Sequence, residues 1–384
     1  FPKLDIDRNH HLRPDANTAR RVRATRPAEC SKARQTGELR LVWRKTNNGS
    51  YLMKLKSTLM SAVAAAAMLA GSQAAALDEI TVAYFQEWPM PFQHHKVMGA
   101  YDEAMGVKVN WRAFGSGTEM SAAMASGDVH LSVSQGVPPF VVATSGGQDL
   151  QILDVAVSYA DNDNCVVAEA LEIDKTNAAE LAGKKVAVPL GTAAHYGFLK
   201  QMSHFGVDVG SMEVVNMNPP EGSAAIAQGA VDMFCGWGGS LRRALEHGNV
   251  LLTGDEKTDL GILVFDVTSA SASFVAENSD LVAKFLKVTA DANAMWADEA
   301  NHAAMLPAIA KDAGMDEKAT METIATFKFP TVEEQLSSAW LGGNAATFMK
   351  GVADVFLEAG SIDAALDTYE NAVNTGPLAA AGGM

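Results

Sequence analysis

"SAAMASGDVHL" (residues 121–131) returns 102 residues later as "SAAIAQGAVDM" (residues 223–233), with six of eleven positions identical. Each copy reads as a short helix of small residues that stops at a glycine and enters an apolar strand. Gly127 and Gly229 stand where a helix end needs a left-handed residue. Two Ala-rich helices can match by chance, so the surroundings decide how much weight the match bears. Around the first copy, "ITVAYF" (80–85), "VKVNWRAF" (107–114), "VHLSVS" (129–134) and "LQILDVAVSY" (150–159) read as strands. Around the second, "KKVAVPL" (184–190), "MEVVNM" (212–217), "VDMFCGW" (231–237) and "NVLLTG" (249–254) repeat the rhythm. Helical segments lie between most of them. Such alternation predicts an α/β fold with mostly parallel sheets and helices on both faces. The repeat predicts two lobes on one βαβ plan, with a ligand held between them where strand ends and helix N-termini converge.

The expected division is lobe I from residues 77–162 and 267–384, and lobe II from residues 163–266. Val155–Cys165 and Ile262–Ser271 are the expected hinge crossings. From about Asn278 the pattern is almost purely helical, and this C-terminal segment is expected to pad the first lobe.

The N-terminal part is read separately. "MKLKSTLMSAVAAAAMLAGSQAAALDEI" (53–80) has a basic start, an apolar run too short to span a bilayer, and small residues at Ala74–Ala76. Those are the parts of a secretory signal. Residues 53–76 are therefore expected to be a signal peptide. Residues 1–52, rich in Arg, are expected to be an upstream leader ahead of the true initiator Met53. Residues 1–76 hold 14 Lys and Arg and 5 Asp and Glu of the chain's 30 and 45, so the remainder carries a net charge of −24. So acidic a protein is a poor partner for nucleic acid or anionic lipid. The expected location is the periplasm, without a lipid anchor, as a monomer. Cys165 and Cys235 can pair in an oxidising compartment, although spacing alone does not show that they do.

Three strand-to-helix turns are candidates for ligand contact: Gln135-Gly136-Val137, Trp237-Gly238-Gly239, and the stretch from Gly191 through Thr192, Ala193, Ala194 and His195 to Tyr196. Small residues let backbone N–H groups approach a ligand, and helix N-termini favour an anion. Any one turn alone is ordinary turn chemistry. Tyr84, Phe85, Trp88, Tyr196 and Trp237 flank the same places, where aromatic faces suit a cation or an apolar stem, although each is also a good core residue. Glu87 and Asp266 are the nearby acids. A carboxylate opposite an anion-binding turn implies a zwitterionic ligand, while Asp266 as a structural cap is the plain alternative.

Several of these stretches carry a resemblance. "VNWRAFGSGTEMSAAMASGDVHLSVSQG", "GKKVAVPLGTAAHYGFL", "MFCGWGGSL" and "GILVFDVTSA" resemble the periplasmic taurine-binding proteins, within the nitrate/sulfonate/taurine set of ABC-transporter binding proteins. The resemblance covers about residues 80–290. It implies a two-lobed type II periplasmic binding protein fold, a sulfonate on helix N-termini, an amine at an acid, and an ABC permease as partner. By motif it implies Thr192, His195, Tyr196, Trp237 and Asp266 as pocket positions. No cofactor is implied. The chain departs from the family pattern at "SQGVPP", which stands where the family has a Ser pair before Pro, and after Trp237, where Gly-Gly replaces Ala-Pro.

Two rival classes stand against this reading. An enzyme on the same fold would use Cys235 as nucleophile and His195 as base, but the loop from Tyr84 to His95 lacks the cysteine of sulfur-removing enzymes. A metal protein would use His94 and His95, whose adjacent side chains diverge on a helix. Another small zwitterion, a quaternary amine or a pyrimidine-like ligand stays open within the binding-protein reading. The exported protein is expected to begin near Leu77, and N-terminal sequencing that finds Phe1 or Met53 on it would overturn the signal-peptide reading.

Overall fold

The computed structural model describes residues 77–262 and 264–384, so the leader and signal peptide lie outside the described residues. Among the described residues, ten strands form two five-stranded sheets. The first sheet holds β1 (Glu79–Phe85), β2 (Lys108–Phe114), β3 (Leu131–Gly136) and β4 (Leu150–Ser158). The second holds β5 (Asp163–Ala168), β6 (Lys185–Ala187), β7 (Glu213–Val215), β8 (Met233–Trp237) and β9 (Gly248–Val250). The chain then returns to the first sheet as β10 (Phe265–Ser271). The strand orders are β2-β1-β3-β10-β4 and β7-β6-β8-β5-β9.

These orders are one topology used twice. β6, β7, β8 and β9 correspond to β1, β2, β3 and β4. β5 and β10 fill the same slot, between the third and fourth strands. β10 runs antiparallel to β3 and β4, and β5 runs antiparallel to β8 and β9. Each sheet is therefore mixed, with four strands in one direction and one against them. Each reversed strand is reached by crossing from the other sheet, first between Ser158 and Asp163, then between Val250 and Phe265.

The repeated stretch falls at corresponding places. Helix Gly117–Ala125 leads into β3, and helix Pro219–Ala227 leads into β8. Gly127 and Gly229 follow them with φ of 81° and 66°, the left-handed geometry that a residue without Cβ adopts at little cost. β3 is buried along its whole length. Val155 and Val267 are ladder partners on β4 and β10, and Val133 lies on β3; none is exposed, and each contributes roughly 1.5–3 kcal/mol by burial.

Two expectations need correction. "NVLLTG" forms a strand only at its start. Thr253 instead caps helix Gly254–Asp259, accepting from the Glu256 N–H while the Glu256 side chain accepts from the Thr253 N–H. Asp266, expected at the end of the second lobe, lies in β10 and so in the first sheet, because that strand begins at Phe265.

The C-terminal segment is helical. Helix Ser279–Ala297 packs on Phe92–Val97 and Ala100–Met105 beside the first sheet. Helix Asn344–Glu358 lies against Val137–Ser145 and also against Ala193–Phe205, bridging helices that follow different sheets. Phe356 stacks on His195 at 5.4 Å between centroids.

Cys165 and Cys235 are joined by a disulfide. They face each other in the β5–β8 ladder, and their sulfurs sit in the buried core. The bond closes a stretch of 70 residues. Loss of that constraint on the unfolded chain is expected to cost roughly 2–4 kcal/mol. Denaturant unfolding of the Cys165→Ala/Cys235→Ala double variant measures this, and an unchanged midpoint would show that the sheet alone supplies the stability.

Candidate ligand-binding site

The cleft between the sheets narrows to a cavity of about 20 Å³, lined by Phe85, Trp88, Asp266 and Gly136 from the first sheet's side and by Asp163, Thr192, Ala193 and Trp237 from the second's, with Gly117, Pro139 and Tyr159 completing it. The walls approach closely. A Cβ at Gly136 would lie 3.7 Å from the Ala193 Cβ, and one at Gly191 would lie 3.2 Å from Thr118 Cγ2.

Three helix N-termini point their first turns into this region. Gly136 is the N-cap of Val137–Ser145, Thr192 caps Ala193–Phe205, and Ser116 caps Gly117–Ala125. First-turn N–H groups have no partner inside their own helix and carry the positive end of its dipole. Pro138 and Pro139 remove two such donors from the first helix. Gly117 is required by space, since a Cβ there would sit 2.6 Å from Pro139 Cγ.

The acid side is a bonded cluster. Tyr159 donates its hydroxyl to Asp266 Oδ1 at 2.7 Å. Ser134 donates to Oδ2 at 2.7 Å, and Trp88 Nε1 donates to Ser134 Oγ at 2.9 Å. Ser134 adopts φ of 58° inside β3. A non-glycine residue there costs about 1–3 kcal/mol, which the surrounding network offsets. Trp88 packs edge-on to Tyr159 at 4.8 Å, and Phe85 meets Trp237 at 5.9 Å. Aromatic faces thus wall the carboxylate.

A second acid lines the cavity. Asp163 opens β5 and is 3% exposed. Its Oδ2 has no hydrogen-bond partner among the described residues. Burial pushes its pKa up to about 7, and the Lys257 charge works against that rise. Burial also pushes Asp266 up to about 7, opposed by the Ser134 and Tyr159 hydrogen bonds and reinforced by Asp163. No Lys or Arg is among the residues lining the cavity.

Of the sequence-predicted contacts, Trp88, Gly136, Thr192, Ala193, Trp237 and Asp266 line the cavity, and six do not. Glu87 turns to Arg243, which donates to both carboxylate oxygens at 2.9 and 3.0 Å. That pair ties the β1 loop to the helix after β8. Tyr84 is core, with Lys96 Nζ 3.8 Å above its ring. Gln135 donates to Gly117 O at 2.9 Å and to Ser121 Oγ, and accepts from Ser269, so it holds the first-turn helix in place. Val137 is fully buried core. His195 Nδ1 accepts from the Gly191 N–H at 3.1 Å, and burial lowers its pKa to about 4. Tyr196 packs on Phe348 and Phe356. Both pack against Phe356 of the helix Asn344–Glu358 instead of lining the cavity.

Sequence reading missed Gly117, Pro139, Tyr159 and Asp163, and named Phe85 only as a flanking aromatic. Asp163 and Tyr159 lie in "SYADNDNC", a polar stretch that reads as a hinge loop. Cys235 holds its sulfur in the disulfide, so it offers no free thiolate to His195.

Residues 99–303 match the family described as NMT1/THI5 like. Over 237 residues the chain is 29% identical to the taurine-binding periplasmic protein of Escherichia coli (strain K12), covering 62% of this chain and 71% of that protein. Its fold matches the periplasmic aliphatic sulphonate binding protein SsuA from Escherichia coli at a TM-score of 0.59 and 21% identity, covering 76% of this chain and 90% of that one. It also matches the desulfurization enzyme DSZB at a TM-score of 0.55 and 14% identity, covering 80% and 99% of the respective chains. These likenesses establish the type II periplasmic binding protein fold and leave the ligand to the site itself.

The raised pKa of Asp266 has a consequence for the ligand-free protein. Its folded pKa lies above the ordinary carboxylate value of an unfolded chain. Its stabilising contribution is therefore complete below about pH 4 and is lost as pH rises through about 7. Asp266→Asn removes this loss. The stability of the variant relative to its parent should thus rise by at least about 1 kcal/mol between pH 5 and pH 8. Thermal unfolding at the two pH values tests it, and a constant difference would mean that Asp266 stays ionised in the fold.

Proposed function

The chain belongs to the NMT1/THI5-like family, and from that premise we propose that it is the substrate-binding protein of an ABC importer. It works in the periplasm as a monomer and captures a small sulfonate zwitterion, taurine foremost, between its two lobes. The observation that carries this reading is the pairing of helix N-termini at Gly117 and Thr192 with the buried carboxylate of Asp266 across one small cavity. An anion is held by amide donors on one side, where no basic side chain competes for it. An ammonium is held by Asp266 on the other, with Trp88, Phe85 and Trp237 around the stem.

The mechanism is lobe closure. Two crossings, residues 159–162 and 251–264, join the lobes and serve as hinges. A ligand that touches both lobes favours the closed arrangement by its differential contacts there. The permease then reads the closed shape. The relative that binds taurine supports the choice of first ligand. The disulfide at Cys235 argues against the enzyme alternative on the same fold.

Calorimetry with taurine and ethanesulfonate tests the reading. A charge-assisted hydrogen bond is worth roughly 1.5–3 kcal/mol, so Asp266→Asn should weaken taurine by on the order of tenfold to a few hundredfold. Ethanesulfonate, which lacks the amine, should bind the parent poorly and lose far less in the variant. Equal binding of the two ligands by the parent would sink the zwitterion reading.

A further inference from the structure

The two reversed strands bring their acids to corresponding places. Asp266 is opposite Gly136 in the β10–β3 ladder, and Asp163 is opposite Trp237 in the β5–β8 ladder. Gly136 and Trp237 are themselves corresponding N-caps, of Val137–Ser145 and Gly238–Ala244. The doubled topology has thus produced a pair of carboxylates, one from each sheet, on the walls of the same cavity.

Their hydrogen-bond states differ. Asp266 already accepts from Tyr159 and Ser134 on separate oxygens. Asp163 is buried, yet its Oδ2 accepts nothing among the described residues. The nearby Lys257 does not answer it by hydrogen bonding. Its Nζ donates to the backbone carbonyls of Ala160, at 2.6 Å, and of Asp163. Lys257 therefore pins the crossing and leaves Oδ2 of this cavity-lining residue without a donor. A desolvated carboxylate with an open oxygen is costly unless a donor arrives with the ligand.

We propose that Asp163 is a second acceptor for the ligand's ammonium, so that this group bridges Asp163 on one sheet and Asp266 on the other and the site selects a primary ammonium over a quaternary one. The proposal rests on the zwitterion reading above and specifies its cationic end. A primary ammonium has three N–H donors, enough for both acids at once. A trimethylammonium group fits aromatic walls equally well but has no N–H and leaves Asp163 Oδ2 unanswered. The bridge also explains why closure follows binding. Two carboxylates brought together without a cation repel, and with one between them they are drawn onto it.

The test compares taurine with its N,N,N-trimethyl analogue by calorimetry at pH 8, on the parent and on Asp163→Asn. The parent should prefer taurine by on the order of ten- to a hundredfold. Asp163→Asn should lose most of that preference by weakening taurine, with the trimethyl analogue changed by no more than about threefold. If Asp163→Asn does not fold, taurine, its N-methyl and its N,N-dimethyl analogues on the parent alone carry the test, with a sharp loss expected once fewer than two N–H groups remain. Parent protein that binds the trimethyl analogue as tightly as taurine overturns the proposal while sparing the zwitterion reading. Taurine affinity and preference unchanged in a folded Asp163→Asn also overturns it. Parent protein that binds neither ligand overturns the zwitterion reading, and the proposal with it.

Discussion

Removing a carboxylate from water is unfavourable, and a fold that does so must answer the charge with donors, a counter-charge or a proton. Asp266 is answered in part by Tyr159 and Ser134. Much of the surrounding architecture serves that arrangement. Ser134 accepts a strained left-handed backbone to aim its hydroxyl. Trp88 donates to that hydroxyl and so loses its own freedom to rotate. Tyr159 belongs to the first crossing between the sheets, so the acid's environment is fastened to a segment that links them. The site and that crossing are therefore parts of one bonded cluster.

The topology explains why the acids sit at the cleft at all. In a sheet whose strands all ran one way, strand C-terminal ends would gather at the cleft and N-terminal ends would lie far from it. β5 and β10 run against their neighbours, so they present their first residues there instead. Asp163 is the first residue of β5, and Asp266 the second of β10. A polar residue at such a position meets the helix N-termini of the neighbouring strands across a few ångströms. Opposite electrostatic characters are thereby placed side by side on each wall, without a basic side chain among the cavity-lining residues.

Much of the fold was legible before the structure. The strands that alternate with helices came through as apolar runs with turn residues between them, and the repeat at residues 121 and 223 located corresponding junctions in both sheets. β5 and β10 were not legible as strands, because each follows a crossing between the sheets that reads as a linking segment rather than as part of the strand–helix rhythm. Their acids suffered accordingly. Asp266 was named as an acid near the turns and again by family motif, but on the wrong side of the lobe boundary, and Asp163 was passed over in a polar loop. Turn residues were read well where glycine or a cap marked them, as at Gly136 and Thr192. Their neighbours were read poorly. Gln135 and His195 lie beside N-caps, and a shift of one or two residues turns a side chain from the cavity to the interior.

Cys165 lies two residues after Asp163, and Cys235 two residues before Trp237. The covalent link between β5 and β8 therefore makes that acid and that indole one mechanical part. Tilting the second sheet carries both together, and the gap between charge and ring stays constant. The first sheet's acid is held by hydrogen bonds from Tyr159 and Ser134 and stands on the other wall of the cavity. The molecule thus resembles a caliper with one rigid jaw, in which a single adjustable distance, from Asp163 to Asp266, gauges whatever is placed between the arms.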